Sequence, residues 1–195
     1  IGASAMVLYF VSGAKLSYVS GISAVGVLAL AVAVAVTPYR FQRVLNFLNP
    51  GANPLTGGYH LNQAQIAIGA GQLFGVGYGK STTKINFLPE PIGDSIFAVI
   101  AEEFGFVGSV ILISAFLIFI LRSLLLARRV KDRFGKFLLI GFGVLISFQV
   151  FINIGAISGL LPLTGVPLPF ISYGGTSLAV FMTMSGIILN VSKHS

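Results

Sequence analysis

Residues 80–121 read KSTTKINFLPEPIGDSIFAVIAEEFGFVGSVILISAFLIFIL. The stretch begins as a polar segment with two lysines and two prolines and ends as nearly unbroken hydrocarbon. Four of the chain's five acidic residues, Glu90, Asp94, Glu102 and Glu103, lie in it. A helix over 95–121 would be about 40 Å long at 1.5 Å per residue, enough for the hydrocarbon core of a bilayer and one headgroup layer. A carboxylate at the mouth of such a helix needs a reason, because ionisable groups at membrane depth are costly and usually functional.

The rest of the composition agrees with a membrane setting. Of 195 residues 55% are hydrophobic and 9% charged, with a mean hydropathy of +0.95; a soluble domain carries about 25% charged residues. The expected class is an all-α, polytopic integral membrane protein, a helical bundle with a long extracellular loop. The 24 glycines suit close helix packing in lipid. Without cysteine there is neither a disulfide framework nor a thiolate metal site. The net charge of +7 reads as orientation rather than nucleic-acid binding.

Taken in order, the apolar run 2–12 is too short to span and reads as the end of a transmembrane helix. The chain opens inside this run with no signal peptide in view, and an N-terminal part is expected to precede it. A second helix is expected over 21–37, ended by Pro38. Residues 39–94 form the long connection, with an irregular part over 39–60 and a short interfacial or re-entrant helix over 61–74. Further helices are expected over 95–121, 137–154 and 172–191, all within a single membrane domain. The segment 155–171, GAISGLLPLTGVPLPFI, holds three prolines and three glycines. It is apolar yet cannot be a regular helix, so protein or water must cover its backbone.

Basic residues set the orientation. With the 122–136 loop in the cytoplasm, Arg122, Arg128, Arg129, Lys131, Arg133, Lys136, Lys15 and Lys193 fall inside, and Arg40, Arg43, Lys80 and Lys84 outside. The outer cations break the positive-inside rule and invite an anionic ligand such as a phosphate.

For Asp94 two readings compete: an N-cap of the following helix, and a general base or cation-binding carboxylate at the membrane surface. Glu102 and Glu103 read first as partners in interhelical hydrogen bonds, with Gln149 or Asn153. The run GVGYGKS at 75–81 lacks the leading glycine of a phosphate-binding loop, because Phe74 stands there. His60 has no ligand-type neighbour, so no transition-metal site is expected, nor does a Ser/His/Asp constellation suggest itself.

Three runs carry a resemblance. LPEPIGDSIFAVIAEEFGFVG (88–108), INIGAISGLLPLTGVPLPFISYGGTSL (152–178), and RVLNFLNP (43–50) with GYHLNQAQIAIGAGQLFGVGYGKS (58–81) resemble the SEDS family (shape, elongation, division and sporulation) that includes FtsW, RodA and SpoVE. The resemblance covers the chain from about residue 20 onward. It implies the C-terminal half of a ten-helix protein of the bacterial inner membrane. It also implies an enzyme that polymerises lipid II, a disaccharide-pentapeptide on an undecaprenyl diphosphate, beside a class B penicillin-binding protein and other division proteins. The family's essential aspartate falls on Asp94, with Gly93 and Ser95 in place of the usual Thr and Phe. Its other acidic positions fall on Glu90, Glu102 and Glu103. From the residues themselves, Lys80, Lys84, Arg40 and Arg43 suit a departing diphosphate, with a divalent cation such as magnesium or manganese as the one cofactor to consider; Glu90 and Glu102 complete the candidate substrate-binding set. The wording PEPIGDS leans to the division type. A lipid II flippase, an elongation-type polymerase and a non-catalytic scaffold for the division machinery are the alternatives.

Overall fold

The computed structural model describes residues 2–48, 58–81 and 93–193. Among them are seven helices and no strand: α1 Gly2–Val11, α2 Leu16–Val36, α3 Pro38–Leu48, α4 Tyr59–Ala70, α5 Ile96–Ala127, α6 Arg133–Ile157 and α7 Gly175–Lys193. Four of these, α2, α5, α6 and α7, are long and apolar enough to cross a membrane.

The antiparallel pair α5 and α6 is the spine of the bundle. Asp132 starts α6 by accepting the Gly135 N–H at 2.7 Å, an N-cap that satisfies one of the helix's orphan donors. Three apolar clusters run along the spine. Ala127, Leu139 and Ile188 pack at the end that carries Arg128, Arg129, Lys131 and Lys193. Phe116, Ile146, Val150, Leu168 and Phe181 fill the middle. Ala64, Ala67, Phe97, Ala98, Val99 and Ile157 lock α4 across the start of α5 and the end of α6. That last cluster builds the platform on which Asp94 stands.

Three features depart from the sequence reading. Residues 39–48, expected to be irregular, belong to α3. Pro38 does end α2, but it also occupies the first position of a new helix, where its missing N–H costs nothing. Phe41, Val44, Leu45 and Leu48 then share one face and Arg40, Gln42, Arg43 and Asn46 the other, the pattern of a helix lying in a membrane interface.

The second departure is in α5. It runs on to Ala127, where a loop was expected from 122, and it breaks at Gly105 (φ 68°, ψ −163°). The segment after the break covers about 33 Å by helical rise and is long enough to span by itself. The segment before it, 96–104, is a separate short helix at the Asp94 end. The backbone groups released by the break are taken up by the loop after α4. Gln72 O and Leu73 O accept from Phe106 N–H and Val107 N–H at 2.9 and 3.1 Å; Val76 N–H and Gly77 N–H donate to Glu102 O and Glu103 O at 3.0 and 3.1 Å. Backbone meets backbone here, and a Cβ at Gly71, Gly75 or Gly105 would overlap the facing chain. Within the GVGYGKS run, Gly75 therefore serves close packing on a broken helix.

The third departure concerns the partners of the buried polar groups. Gln149 donates to Pro167 O at 3.3 Å and Asn153 donates to Asp94 O and Val166 O, whereas Glu102 accepts the Ser81 hydroxyl at 2.5 Å.

After α6 the chain turns through residues 158–174 without regular structure, because Pro162, Pro167 and Pro169 lack the N–H a helix needs. It folds back into the bundle, burying Leu168, Pro169 and Ser172. The Ser172 hydroxyl accepts the Leu168 N–H at 2.7 Å, and Ser172 N–H returns a bond to Leu168 O at 3.0 Å. Phe170 adopts a φ of 66°, held there by ring contacts with Phe116, Phe119 and Phe181. The irregular backbone is thus covered by protein at 168–169 and 172, while Leu160, Thr164, Gly165 and Tyr173 are exposed.

Candidate functional site

Asp94 lies where five parts of the chain meet: α3, the start of α4, the start of α5, the end of α6 and the 158–174 segment. Helix α5 begins at Ile96 with Ser95 in the capping position, and the Ser95 side chain makes no capping bond. The Asp94 carboxylate is therefore not consumed as an N-cap. The residue is held through its main chain instead, by the Asn153 side-chain amide, which donates to Asp94 O at 2.8 Å and to Val166 O at 2.7 Å. Asn153 is 2% exposed, and its Oδ1 has no hydrogen-bond partner. One buried side chain thus fixes the height of Asp94 relative to the proline-rich segment.

The carboxylate itself is half-buried and faces Gly165 (φ 68°). A Cβ on Gly165 would stand 3.6 Å from Asp94 Oδ2 and 3.8 Å from an Arg43 guanidinium nitrogen. Absence of a side chain at 165 leaves a notch with a carboxylate on one side and a guanidinium on the other. Arg43 is set by three contacts: Nη1 donates to Leu163 O at 2.9 Å, Nη2 donates to the Tyr39 hydroxyl at 2.5 Å, and the guanidinium carbon sits 4.7 Å from the centre of the Tyr39 ring. A pre-oriented planar guanidinium suits a phosphate better than a loose ammonium does.

The other oxygen of Asp94 has a different neighbourhood. Ser95, fully buried, donates its hydroxyl to Asp94 Oδ1 at 3.4 Å, and its oxygen lies 2.5 Å from His60 Nε2. His60 belongs to the first turn of α4, so the packing of α4 on α5 makes this meeting. The order is His–Ser–Asp with serine in the middle. A hydrolytic triad places histidine in the middle, so this arrangement does not activate Ser95 as a nucleophile.

The remaining expected residues are placed as follows. Arg40 is exposed in the first turn of α3. Lys80 is exposed at the turn after α4, its stem folded back over Gly77. Glu102 is 2% exposed and bonded to Ser81, eight residues along α5 from Asp94 and thus about 12 Å away by helical rise. Lys84 and Glu90 lie outside the described residues. Of the expected set, Asp94 and Arg43 are brought together. Tyr39, His60, Ser95 and Gly165 are additions that sequence reasoning missed, and Asn153, expected as a partner of Glu102 or Glu103, joins them through the Asp94 main chain. For Tyr39 a signal existed in the amphipathic period of 38–48; for His60 and Ser95 none did, because their contact spans 35 positions of sequence.

No group of three or more His, Cys, Asp or Glu gathers among the described residues. At the notch one carboxylate, Asp94, is available among the described residues. That donor set fits a magnesium-type ion only where substrate phosphates complete the coordination.

Comparison with known proteins gives a consistent result. A family model described as cell cycle protein, covering FtsW, RodA and SpoVE, matches residues 1–195. Stage V sporulation protein E of Bacillus subtilis is 40% identical over 97% of this chain and 52% of its own length. A probable peptidoglycan glycosyltransferase FtsW of Geobacter is 38% identical over 98% and 52%, and the peptidoglycan glycosyltransferase MrdB of Escherichia coli is 40% identical over 96% and 54%. The chain spans about half the length of the curated relatives it matches. Among solved structures, a chain of a peptidoglycan synthase complex that coordinates polymerisation and crosslinking superposes with a TM-score of 0.76 and 32% identity, over 98% of this chain and 53% of that one. An aspartate-to-alanine mutant of the rod shape determining protein RodA of Thermus thermophilus gives 0.51 and 34%, over 67% and 39%.

Proposed function

The chain belongs to the FtsW/RodA/SpoVE family of cell cycle proteins, and from that membership we propose that it forms the reacting end of a glycosyltransferase that polymerises lipid II. The observation that carries this reading is the notch at Gly165, with the Asp94 carboxylate and the Arg43 guanidinium on its two sides. Polymerisation needs both. The acceptor sugar's hydroxyl oxygen bonds to the donor's anomeric carbon while the bond from that carbon to the diphosphate breaks. The hydroxyl proton goes to Asp94, and the charge that builds on the departing diphosphate is met by Arg43. Arg40 and Lys80 add positive potential at the same end of the bundle, as Lys84 would from its place in the sequence. A divalent cation, where bound, would share Asp94 with the diphosphate and supply further charge neutralisation.

The relatives named peptidoglycan glycosyltransferase support the reaction class, and the superposed synthase complex, which coordinates polymerisation with crosslinking, supports a crosslinking partner, for which a class B penicillin-binding protein is the expected kind. The excess of basic residues at the opposite end of the spine supports an extracytoplasmic position for Asp94, on the outer face of the inner membrane. A groove of about 430 Å³ between α6 and α7, lined by Phe148, Ile152, Val180 and Met184 with Gln149 and Ser177, reaches Val166, one residue from the notch. It suits the apolar chain of a lipid-linked substrate. Relatives named FtsW, MrdB and SpoVE are similar to this chain to a like degree, so the division type rests on the PEPIGDS wording alone. No described contact favours a transport path: Gln149, Asn153 and Glu102 are tied into the fold by the bonds given above.

The test is glycan-strand formation from purified lipid II in detergent, where no leaflets exist and flipping has no meaning. The full-length protein with its partner should polymerise there, and Asp94→Asn should not. Lipid flipping in sealed vesicles without polymerisation in detergent would place the protein among transporters instead.

A further inference from the structure

The two oxygens of Asp94 face different surroundings, and the geometry points to a division of labour between them: His60 and Ser95 hold Oδ1, so that Oδ2 alone takes the acceptor's proton. This rests on the reading of Asp94 as the carboxylate that receives that proton. The Ser95 hydroxyl reaches Asp94 Oδ1 at 3.4 Å, and the same oxygen lies 2.5 Å from His60 Nε2. Ser95 thus stands between the imidazole and Oδ1, and Oδ2 has no part in this contact.

The consequence is positional. Ser95 is fully buried and His60 is anchored in the first turn of α4, so neither side chain moves without repacking α4 on α5. Oδ1 is pinned on the helix side. Oδ2 then faces the Gly165 notch, across which the Arg43 guanidinium stands, so that a hydroxyl and a diphosphate would both be in reach. His60 and Ser95 touch no reacting atom; they are positioning residues, and they act on the rate through the aim of one oxygen.

The experiment uses the full-length protein with its partner, with steady-state polymerisation of lipid II as the readout. Ser95→Ala and His60→Ala should each lower kcat about 10-fold while KM changes less than about twofold, because aim is lost and binding is not. The double variant should be no slower than Ser95→Ala, since both residues act through one chain. His60→Gln keeps an N–H donor and should recover part of the rate lost in His60→Ala. Should Ser95→Ala fail to fold, as judged by its size-exclusion profile, the His60 pair decides alone. Wild-type kcat in Ser95→Ala or His60→Ala, or losses that multiply in the double variant, would overturn the inference. Asp94→Asn run in parallel separates the two levels: if it stays active, the reading of Asp94 fails; if it is dead while His60 and Ser95 variants are unaffected, only the division of labour fails.

Discussion

Asn153 holds Asp94 by its main chain: the Nδ2 of a buried amide on α6 donates to the Asp94 carbonyl at 2.8 Å and, with its other hydrogen, to the Val166 carbonyl at 2.7 Å. The amide is a strut between the start of α5 and the proline-rich segment, and it leaves the carboxylate free for other work. Replacing it strands two carbonyls away from water. Asn153→Ala should cost about 2–4 kcal/mol, summing the loss of two such bonds. Asn153→Asp should be worse, because a carboxylate offers no donor and faces two carbonyl oxygens. Thermal unfolding in detergent measures both, and equal stability of the two variants would contradict the strut.

Arg43 is oriented by the Tyr39 ring, the Tyr39 hydroxyl and the Leu163 carbonyl. A lysine keeps the charge but loses the planar fork. Arg43→Lys should therefore raise the KM for lipid II about 10-fold, with Tyr39→Leu showing a smaller effect in the same direction. A KM unchanged in Arg43→Lys would mean that charge alone matters at the notch.

Gly75 combines a φ of 81° with backbone contact to Glu103. Alanine there both strains the turn and overlaps the facing carbonyl. Gly75→Ala should destabilise by about 2–3 kcal/mol. Gly79, also at positive φ (76°) but with open space around it, should lose only the smaller strain part, about 1 kcal/mol. Comparing the two melting temperatures separates close packing from turn strain.

Ser81 donates to the buried Glu102 carboxylate. Ser81→Ala should lower stability by about 1 kcal/mol while leaving the KM for lipid II untouched. A rise in KM would show that Glu102 takes part in substrate binding, as the sequence reading had it, and would connect the 71–81 loop to the notch.

Much of this architecture is readable from local pattern. Apolar runs of spanning length announce α2, α5, α6 and α7, and three prolines announce the irregular 158–174 segment. Asp94 stands out because a carboxylate at a helix mouth is rare enough to question. What escapes local pattern is of two kinds. Pro38 carries opposite meanings for the helix before it and the helix after it, and only the second meaning creates α3 and orients Arg43. The break at Gly105 is invisible because glycine is common in membrane helices; it becomes compulsory only once the 71–77 loop is known to press against it. The His60–Ser95 contact is of the same kind, since it exists because α4 crosses α5.

The central claim is that the Asp94 carboxylate performs chemistry rather than holding the fold. Asp94→Asn tests it cleanly, because the Asn153 bond is made to the main chain and survives the change. The measurement is the rate of glycan-strand formation from lipid II by the full-length Asp94→Asn protein, with melting temperature and lipid II binding followed on the same preparation. The account predicts a loss of at least about a hundredfold in rate, on the scale of a missing general base, with stability and binding kept. A wild-type rate, or a loss explained by a collapsed melting temperature, would contradict it.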